Sequence, residues 1–275
     1  MFRKKEIWFH NGNKKIYSLS YIPEGEGPRP VILICHGFGG SHRDNLNCAE
    51  RYAAAGYAVC SFDFCGGSPT VLSDGATTEM SPMTELADLM ALFPQLLAQD
   101  FVDPAAVYLW GESLGGFVAA MGAARLKGQV KGLILLYPAL RYQELCRSLF
   151  PSKEAVTATV KWDVPLGPCY YRDVWDVDPF AEIGAYKGPV LLFHGTQDDI
   201  VPISVSERAR TCYDDVTYRT VEGAGHGFFN EAGEEVDRQI VAWLKERTGG
   251  EAEGTAGSVS GTRTGTGGAD AAAAG

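Results

Sequence analysis

The chain of 275 residues lacks both a long hydrophobic run and a cluster of basic residues. Its longest apolar stretches, such as residues 132–140, are far shorter than the roughly 18 residues that a membrane span needs. The amino-terminal sequence MFRKKEIWFH has neither the apolar core nor the cleavage site of a secretory signal. We therefore expect a cytoplasmic protein without a membrane partner.

Positive charge is also scarce, since 24 lysines and arginines face 34 aspartates and glutamates, which gives a net charge of -10. Nucleic-acid binding requires a basic patch that neutralises phosphates, so no nucleic-acid partner is predicted. The seven cysteines include no Cys-x-x-Cys pair, which argues against a zinc site. We expect free, mostly buried thiols, no metal and no cofactor.

Short apolar runs alternate with amphipathic stretches along the chain. The apolar runs predict strands at residues 31–35, 57–64, 106–110, 130–137, 189–194 and 217–221. Helical spacing occurs at residues 44–55, 85–99, 114–126, 204–213 and 234–247. Strands of continuous Val, Ile and Leu are typical of sheets covered on both faces, so we predict an α/β fold: a mostly parallel twisted sheet flanked by helices.

Three segments depart from this alternation. Residues 5–10 and 15–22, joined by Asn11-Gly12-Asn13, predict an antiparallel hairpin with a type I′ turn. Residues 139–187 are rich in aromatics without a clean period, and a long irregular segment of this kind is often a lid, so we predict a cap inserted into a domain at 1–248. Residues 249–275, rich in Gly, Ala and Thr, cannot bury enough surface to order themselves and predict a disordered tail.

One serine lies between glycines where a predicted strand meets a predicted helix. The sequence Gly111-Glu112-Ser113-Leu114-Gly115 fits the pattern G-x-S-x-G, in which a sharp strand-to-helix turn exposes a nucleophilic serine. The turn also places Ser113 at the positive end of a helix, where backbone N–H groups have no partners. An anion that forms there is stabilised.

A serine hydroxyl needs a base that takes its proton and an acid that orients the base. His226 is our candidate base, because it lies in a glycine-rich loop between the last strand and the last helix. The acid should follow the preceding strand, where Asp198 and Asp199 compete and the spacing favours Asp198. Asp63 is a further carboxylate that could point at the site, although it precedes the serine. The order Ser113, Asp198, His226 is that of the α/β-hydrolase triad.

Acyl transfer also needs N–H donors that face the oxyanion. The loop His36-Gly37-Phe38-Gly39-Gly40 has a backbone able to approach closely. A tight turn explains one of its glycines but not three in four positions. We assign the oxyanion role to the N–H groups of Phe38 and Leu114.

The four segments HGFGG, GESLGG, HGTQDDIVP and GAGHGFF together resemble the α/β-hydrolase serine esterases, over residues 5–247. The cap position, the GPVLLFHG strand and the SER segment at 206–208 resemble the feruloyl and cinnamoyl esterase branch. That resemblance implies hydrolysis of short acyl or hydroxycinnamoyl esters, with the phenolic end held by polar residues of the insertion, for which Tyr170, Tyr171 and Asp163 are the matching candidates. Residue 114 is leucine where that branch often has glutamine, so only its backbone can serve there.

We thus expect a serine esterase that acts on a small-molecule ester as a monomer or homodimer. A peptidase or a thioesterase could use the same triad. A catalytically inactive receptor or scaffold is a third possibility. The presence of all three triad residues argues against it.

Overall fold

A computed structural model describes residues 1–248 of the chain. The predicted disordered tail lies outside the described residues. The strands are β1 (Phe2–Asn11), β2 (Lys14–Pro23), β3 (Arg29–Cys35), β4 (Ala58–Phe62), β5 (Val102–Glu112), β6 (Gly132–Leu136), β7 (Thr159–Lys161), β8 (Val164–Leu166), β9 (Val190–Gly195) and β10 (Val216–Val221). The α-helices are α1 (Leu46–Ala54), α2 (Pro82–Leu97), α3 (Ser113–Arg125), α4 (Tyr142–Leu149), α5 (Cys169–Arg172), α6 (Pro179–Glu182), α7 (Ser204–Ala209) and α8 (Asn230–Thr248).

Eight of these strands form one sheet in the order β1-β2-β4-β3-β5-β6-β9-β10. β2 pairs antiparallel with both β1 and β4, and all other neighbours are parallel. The predicted α/β class with a mostly parallel sheet is therefore confirmed. Because the parallel strands point the same way, the loops that follow β3, β5, β6 and β9 all emerge at one edge of the sheet.

Alternate residues of the central strands enter two separate cores. Val31 and Leu33 of β3 pack among the side chains under α2 and α3, whereas Ile32 and Ile34 pack on the other face among residues of α1 and α8. All four are fully buried. Helices on both faces explain why the parallel strands have continuous apolar sequences.

The first hairpin differs from the prediction in its turn. Asn11 pairs with Lys14, which leaves a two-residue loop of Gly12 and Asn13. Gly12 has a φ of 57°, but Asn13 is not among the residues with positive φ. A type I′ turn requires positive φ at both central residues. The type I′ prediction was therefore wrong, because only the glycine enters the left-handed region.

The segment between β6 and β9 contains α4, the separate two-stranded β7–β8 hairpin, α5 and α6. The β7–β8 turn consists of Trp162 and Asp163, which both have positive φ, 50° and 61°. Thr77 donates a hydrogen bond of 2.6 Å from its hydroxyl to the carbonyl oxygen of Pro165 and so ties the hairpin to the main domain. None of the helices within residues 1–248 has the length and hydropathy that crossing a bilayer requires.

Candidate active site

Ser113 is the first residue of α3 and directly follows the end of β5. Its φ of 50° lies in the left-handed region, which a residue with a side chain seldom adopts. The flanking glycines permit this turn: a Cβ at Gly115 would lie 2.0 Å from the carbonyl oxygen of Cys35, and a Cβ at Gly111 would lie 2.3 Å from that of Gly115. The glycines therefore let α3 press against the end of β3 and hold the serine at the edge of the sheet.

The structure brings Ser113, His226 and Asp198 together in one hydrogen-bonded series. The Nε2 atom of His226 lies 2.9 Å from Oγ of Ser113, and Nδ1 of His226 lies 2.8 Å from Oδ2 of Asp198. An ionised carboxylate only accepts hydrogen bonds, so Nδ1 carries the proton. Nε2 is then free to accept the proton of the serine hydroxyl.

Asp198 is held by several donors besides His226. Its Oδ1 accepts hydrogen bonds from the backbone N–H groups of Ile200 (3.0 Å) and Val201 (2.9 Å). Its Oδ2 also lies 3.3 Å from Nε2 of His194, and the carboxylate is fully buried. The competing Asp199 is exposed, which leaves Asp198 as the carboxylate that faces the histidine.

The third candidate carboxylate, Asp63, belongs to another buried pair. Its Oδ1 lies 2.8 Å from Nδ1 of His42 and accepts a hydrogen bond from the backbone N–H of the same residue. Its Oδ2 accepts a hydrogen bond from the backbone N–H of Leu72 at 2.8 Å. Asp63 thus fixes the loop that contains His42.

The residues predicted to provide the oxyanion donors adjoin Ser113. Leu114 is the second residue of α3, so its N–H has no partner within the helix. A Cβ at Gly37 would lie 3.6 Å from Cβ of Ser113, so the loop that contains Phe38 passes directly beside the serine. His36, whose role was not predicted, supports this loop: its Nδ1 lies 2.8 Å from the carbonyl oxygen of Gly37, and its Nε2 accepts a hydrogen bond from the N–H of Phe64.

A cavity of about 620 Å³ opens at Ser113 and His226. Its aromatic lining consists of Phe38, Trp110, Tyr137, Trp162, Phe228 and Phe229. Its charged lining consists of the carboxylates of Asp44, Glu112, Glu234 and Asp237 and one guanidinium, that of Arg51. Arg51 pairs with Asp237 (2.5 Å) and Glu234 (2.9 Å), so the wall of the cavity keeps an excess of negative charge.

Residues 26–166 match the family model Hydrolase_4, described as serine aminopeptidase, S33. The chain belongs to this family of α/β hydrolases. The matched region contains Ser113 and ends before Asp198 and His226.

This hydrolase is similar to an uncharacterized 31.7 kDa protein of Escherichia coli, with 34% identity over 110 residues, which are 38% of this chain and 37% of that relative. It therefore spans only about a third of the length of the first curated relatives. A monoacylglycerol lipase of Mycolicibacterium smegmatis is 22% identical over 251 residues, 79% of this chain and 88% of the lipase. The structure of Est1E from Butyrivibrio proteoclasticus with bound ferulic acid has a TM-score of 0.80 at 24% identity, covering 88% of this chain and 99% of Est1E. That likeness confirms the α/β-hydrolase fold.

Tyr137 of the hydrolase is a site residue that the sequence did not reveal. Its ring centroid lies 4.7 Å from that of His226, and its hydroxyl donates a hydrogen bond of 2.7 Å to Oε2 of Glu112. The other carboxylate oxygen of Glu112 accepts a hydrogen bond from the side chain of Asn45 at 3.1 Å. Tyr137 has a φ of 37°, an outlier for a bulky residue and a form of strain that clusters at functional sites.

The three predicted substrate residues do not line the cavity beside Ser113. Tyr170 is fully buried with its hydroxyl 3.1 Å from that of Tyr142, and Tyr171 is buried against Phe150. Asp163 is exposed in the β7–β8 turn. The two tyrosines pack into the core because each ring finds an aromatic partner there. Trp162, which precedes Asp163 in the turn, lines the cavity instead and packs edge-on against Phe38, with the two ring centroids 5.7 Å apart.

All seven cysteines are free thiols, as predicted, and four of them are buried. Among the described residues, no group of His, Cys, Asp and Glu side chains is arranged to hold a metal ion.

Proposed function

We propose that this hydrolase cleaves carboxylic esters through an acyl-enzyme on Ser113, with His226 as the general base and Asp198 as the residue that orients it. The observation that carries this proposal is the unbroken series of hydrogen bonds from the serine hydroxyl through the imidazole to the carboxylate, 2.9 Å and 2.8 Å long. A serine at the start of a helix without these partners is a weak nucleophile. With them, the hydroxyl is deprotonated as it attacks.

The reaction begins when Oγ of Ser113 attacks the ester carbonyl carbon while Nε2 of His226 takes the hydroxyl proton. The carbonyl oxygen becomes an oxyanion, which the N–H groups of Phe38 and Leu114 and the positive end of α3 stabilise. The tetrahedral intermediate collapses, the bond to the alcohol oxygen breaks, and His226 gives its proton to the leaving alcohol. Water then attacks the acyl-enzyme with the same histidine as base, which releases the acid and restores Ser113.

The substrate that we propose is a small acyl or hydroxycinnamoyl ester. The aromatic lining of the cavity suits a flat aromatic acyl group, and Est1E, which shares the fold, has been solved with ferulic acid. The related monoacylglycerol lipase of Mycolicibacterium smegmatis also has an ester as its named substrate. In this proposal residues 139–187 act as a cap, in which Trp162 forms one wall of the cavity and packs against Phe38.

A peptidase is the second candidate, because the family description names a serine aminopeptidase. The carboxylates that line the cavity would attract the amino terminus of a peptide. The same carboxylates argue against a thioesterase for coenzyme A substrates, whose phosphates they would repel. An inactive receptor has no need of the aligned serine and histidine.

The test is a comparison of four substrates with the wild-type protein: methyl ferulate, p-nitrophenyl butyrate, an aminoacyl p-nitroanilide and an acyl thioester. We expect kcat/KM to be highest for one of the two esters and Ser113→Ala to abolish that turnover. A fluorophosphonate probe should label Ser113 covalently in the wild-type protein. Preferred cleavage of the anilide would instead establish the peptidase, and folded protein that resists the probe would leave a receptor.

A further inference from the structure

A second buried histidine lies behind the carboxylate of the proposed triad. His194 is the fifth residue of β9, and its side chain is fully buried. Its Nε2 lies 2.8 Å from the carbonyl oxygen of Val201 and 3.3 Å from Oδ2 of Asp198, and its Nδ1 lies 2.7 Å from the hydroxyl of Ser206 in α7. The mechanism proposed above uses neither His194 nor Ser206.

The partners of His194 determine where its proton is. Both oxygens near Nε2 belong to groups that only accept hydrogen bonds, so Nε2 carries the hydrogen. Burial lowers the pKa of His194, which keeps the ring neutral and leaves Nδ1 as an acceptor. The hydroxyl of Ser206 is therefore the donor to Nδ1, and it holds the ring in the tautomer that serves Asp198.

These contacts also close the loop around the carboxylate. The carbonyl of Val201 accepts from His194, while the N–H of the same residue donates to Oδ1 of Asp198. One imidazole N–H thus faces both the loop backbone and the carboxylate oxygen that His226 uses. Because this histidine is neutral, it leaves the negative charge of Asp198 available to the imidazolium that forms at His226.

We propose that Ser206 and His194 are positioning residues, which keep Oδ2 of Asp198 directed at Nδ1 of His226. This inference rests on the proposed function of the triad. Without the Ser206 hydroxyl, Nδ1 of His194 is a buried acceptor with no donor. The ring is then held only through Nε2, so it can turn to bring Nδ1 towards another donor, and the Nε2–H group that faces Val201 and Asp198 moves with it.

The first experiment compares Ser206→Ala with Ser204→Ala, a matched control at an exposed position of the same helix. Displacing a catalytic group by about 1 Å can lower the reaction rate about 100-fold. We therefore expect Ser206→Ala to lower kcat roughly 10- to 100-fold. KM should stay within about twofold, because Ser206 does not line the cavity, and Ser204→Ala should match the wild type. Full turnover of folded Ser206→Ala would overturn the proposal.

A double-mutant cycle separates positioning from general loss of structure. The readout is the rate at which a fluorophosphonate labels Ser113, which stays measurable when ester turnover is slow. In an Asp198→Asn background, Ser206→Ala should change this rate by less than about twofold, since the group that it positions has already been lost. An equally large effect in both backgrounds would show that Ser206 acts elsewhere and would refute the proposal.

A conservative variant decides the question if Ser206→Ala does not fold. In His194→Gln the amide N–H can donate to Val201 and Asp198 while the amide oxygen accepts from Ser206. Its kcat should lie within a few-fold of the wild type, and a folded variant with a tenfold or larger loss would overturn the proposal. Activity that survives Ser113→Ala would instead refute the proposed function itself, so the two failures are distinguishable.

Discussion

Replacing Gly115 with alanine tests whether the close approach of α3 to β3 creates the nucleophile turn. The new Cβ would lie 2.0 Å from the carbonyl oxygen of Cys35 and 2.4 Å from that of His36. Ordinary van der Waals contact begins near 3.4 Å, so one of the two backbones must retreat by about 1.4 Å. No side-chain rotation can relieve this clash, because the atoms involved belong to the main chain.

Two opposing effects set the change in stability. Alanine is favoured over glycine within a helix by up to about 1 kcal/mol. Overpacking typically costs about 1–3 kcal/mol, and the upper end applies to Gly115 because backbone must move. We therefore expect the free energy of unfolding to fall by about 2 kcal/mol. The loop with Phe38 directly follows β3, so the shift should also displace a proposed oxyanion donor and lower kcat by about 100-fold.

The matched control is Gly122→Ala, which lies seven residues, or about two helical turns, after Gly115 in the same helix. There the nearest atom to the new Cβ is a terminal methyl carbon of Leu89 at 2.4 Å, and the next is 3.5 Å away. A leucine methyl can turn aside, so urea unfolding should stay within about 1 kcal/mol of the wild type. Turnover of p-nitrophenyl butyrate should be unchanged. If Gly115→Ala folds and retains wild-type turnover, the account of the turn given above is wrong.

Three further predictions follow from the site and the core. Asp198→Asn keeps the shape of the side chain but favours the wrong tautomer of His226, so kcat should fall by about 10⁴-fold with little change in the thermal midpoint; a loss below tenfold would contradict the role of Asp198. Burial raises the pKa of Glu85 well above its usual range, and one of its carboxyl oxygens has no hydrogen-bond partner. The unfolded chain releases this proton near pH 4.5 while the folded chain keeps it, so Glu85 lowers stability as the pH rises. Urea unfolding should show that the free energy of unfolding of Glu85→Gln, relative to that of the wild type, rises by about 1.4 kcal/mol per pH unit above pH 5 until the buried acid ionises. A difference between the two proteins that does not change with pH would refute this. Finally, an ester with a carboxylate on its alcohol group should be cleaved roughly tenfold less efficiently than a neutral analogue of the same size, and salt should narrow this ratio; equal kcat/KM at low salt would show that the cavity wall does not discriminate by charge.

The main sheet was predictable because its strands are buried on both faces. The run 31–35 is apolar throughout, since Val31 and Ile32 enter different cores and neither face meets water. Strand ends were less visible: β5 begins at Val102 rather than residue 106, and the three residues after Val102 are partly or fully exposed. A hydrophobic pattern carries no signal where one end of a strand leaves the core.

The β7–β8 hairpin could not be predicted from a hydrophobic pattern. Each strand has only three residues, and the turn places Trp162 and Asp163 in the left-handed region that Asn and Gly usually occupy. Contacts from elsewhere in the chain maintain this conformation, among them the hydrogen bond from Thr77 to Pro165. A turn that depends on a residue 88 positions away cannot be read from its own sequence.

The residues that the structure brings together at Ser113 are those whose position follows from the backbone. Ser113 directly follows β5, and Asp198 and His226 lie in the loops after β9 and β10, so all three lie at the edge of the sheet where these parallel strands end. Glycines around Ser113 and His226 mark where the chain must turn tightly. Topology therefore predicts their meeting before any side-chain contact is known, and the hydrogen bonds of 2.9 Å and 2.8 Å agree with it.

Residues that hold a substrate follow from packing instead. Tyr170 has an apolar ring and a polar hydroxyl, so its sequence is compatible with a cavity wall and with a core position alike. The core position of Tyr170 is explained by Tyr142, which lies 28 positions away and whose hydroxyl forms a hydrogen bond with the Tyr170 hydroxyl within the core. Trp162, which is 59% exposed, lines the cavity instead. Specificity in this hydrolase should therefore respond to changes at Trp162 and Phe38 before it responds to changes at Tyr170.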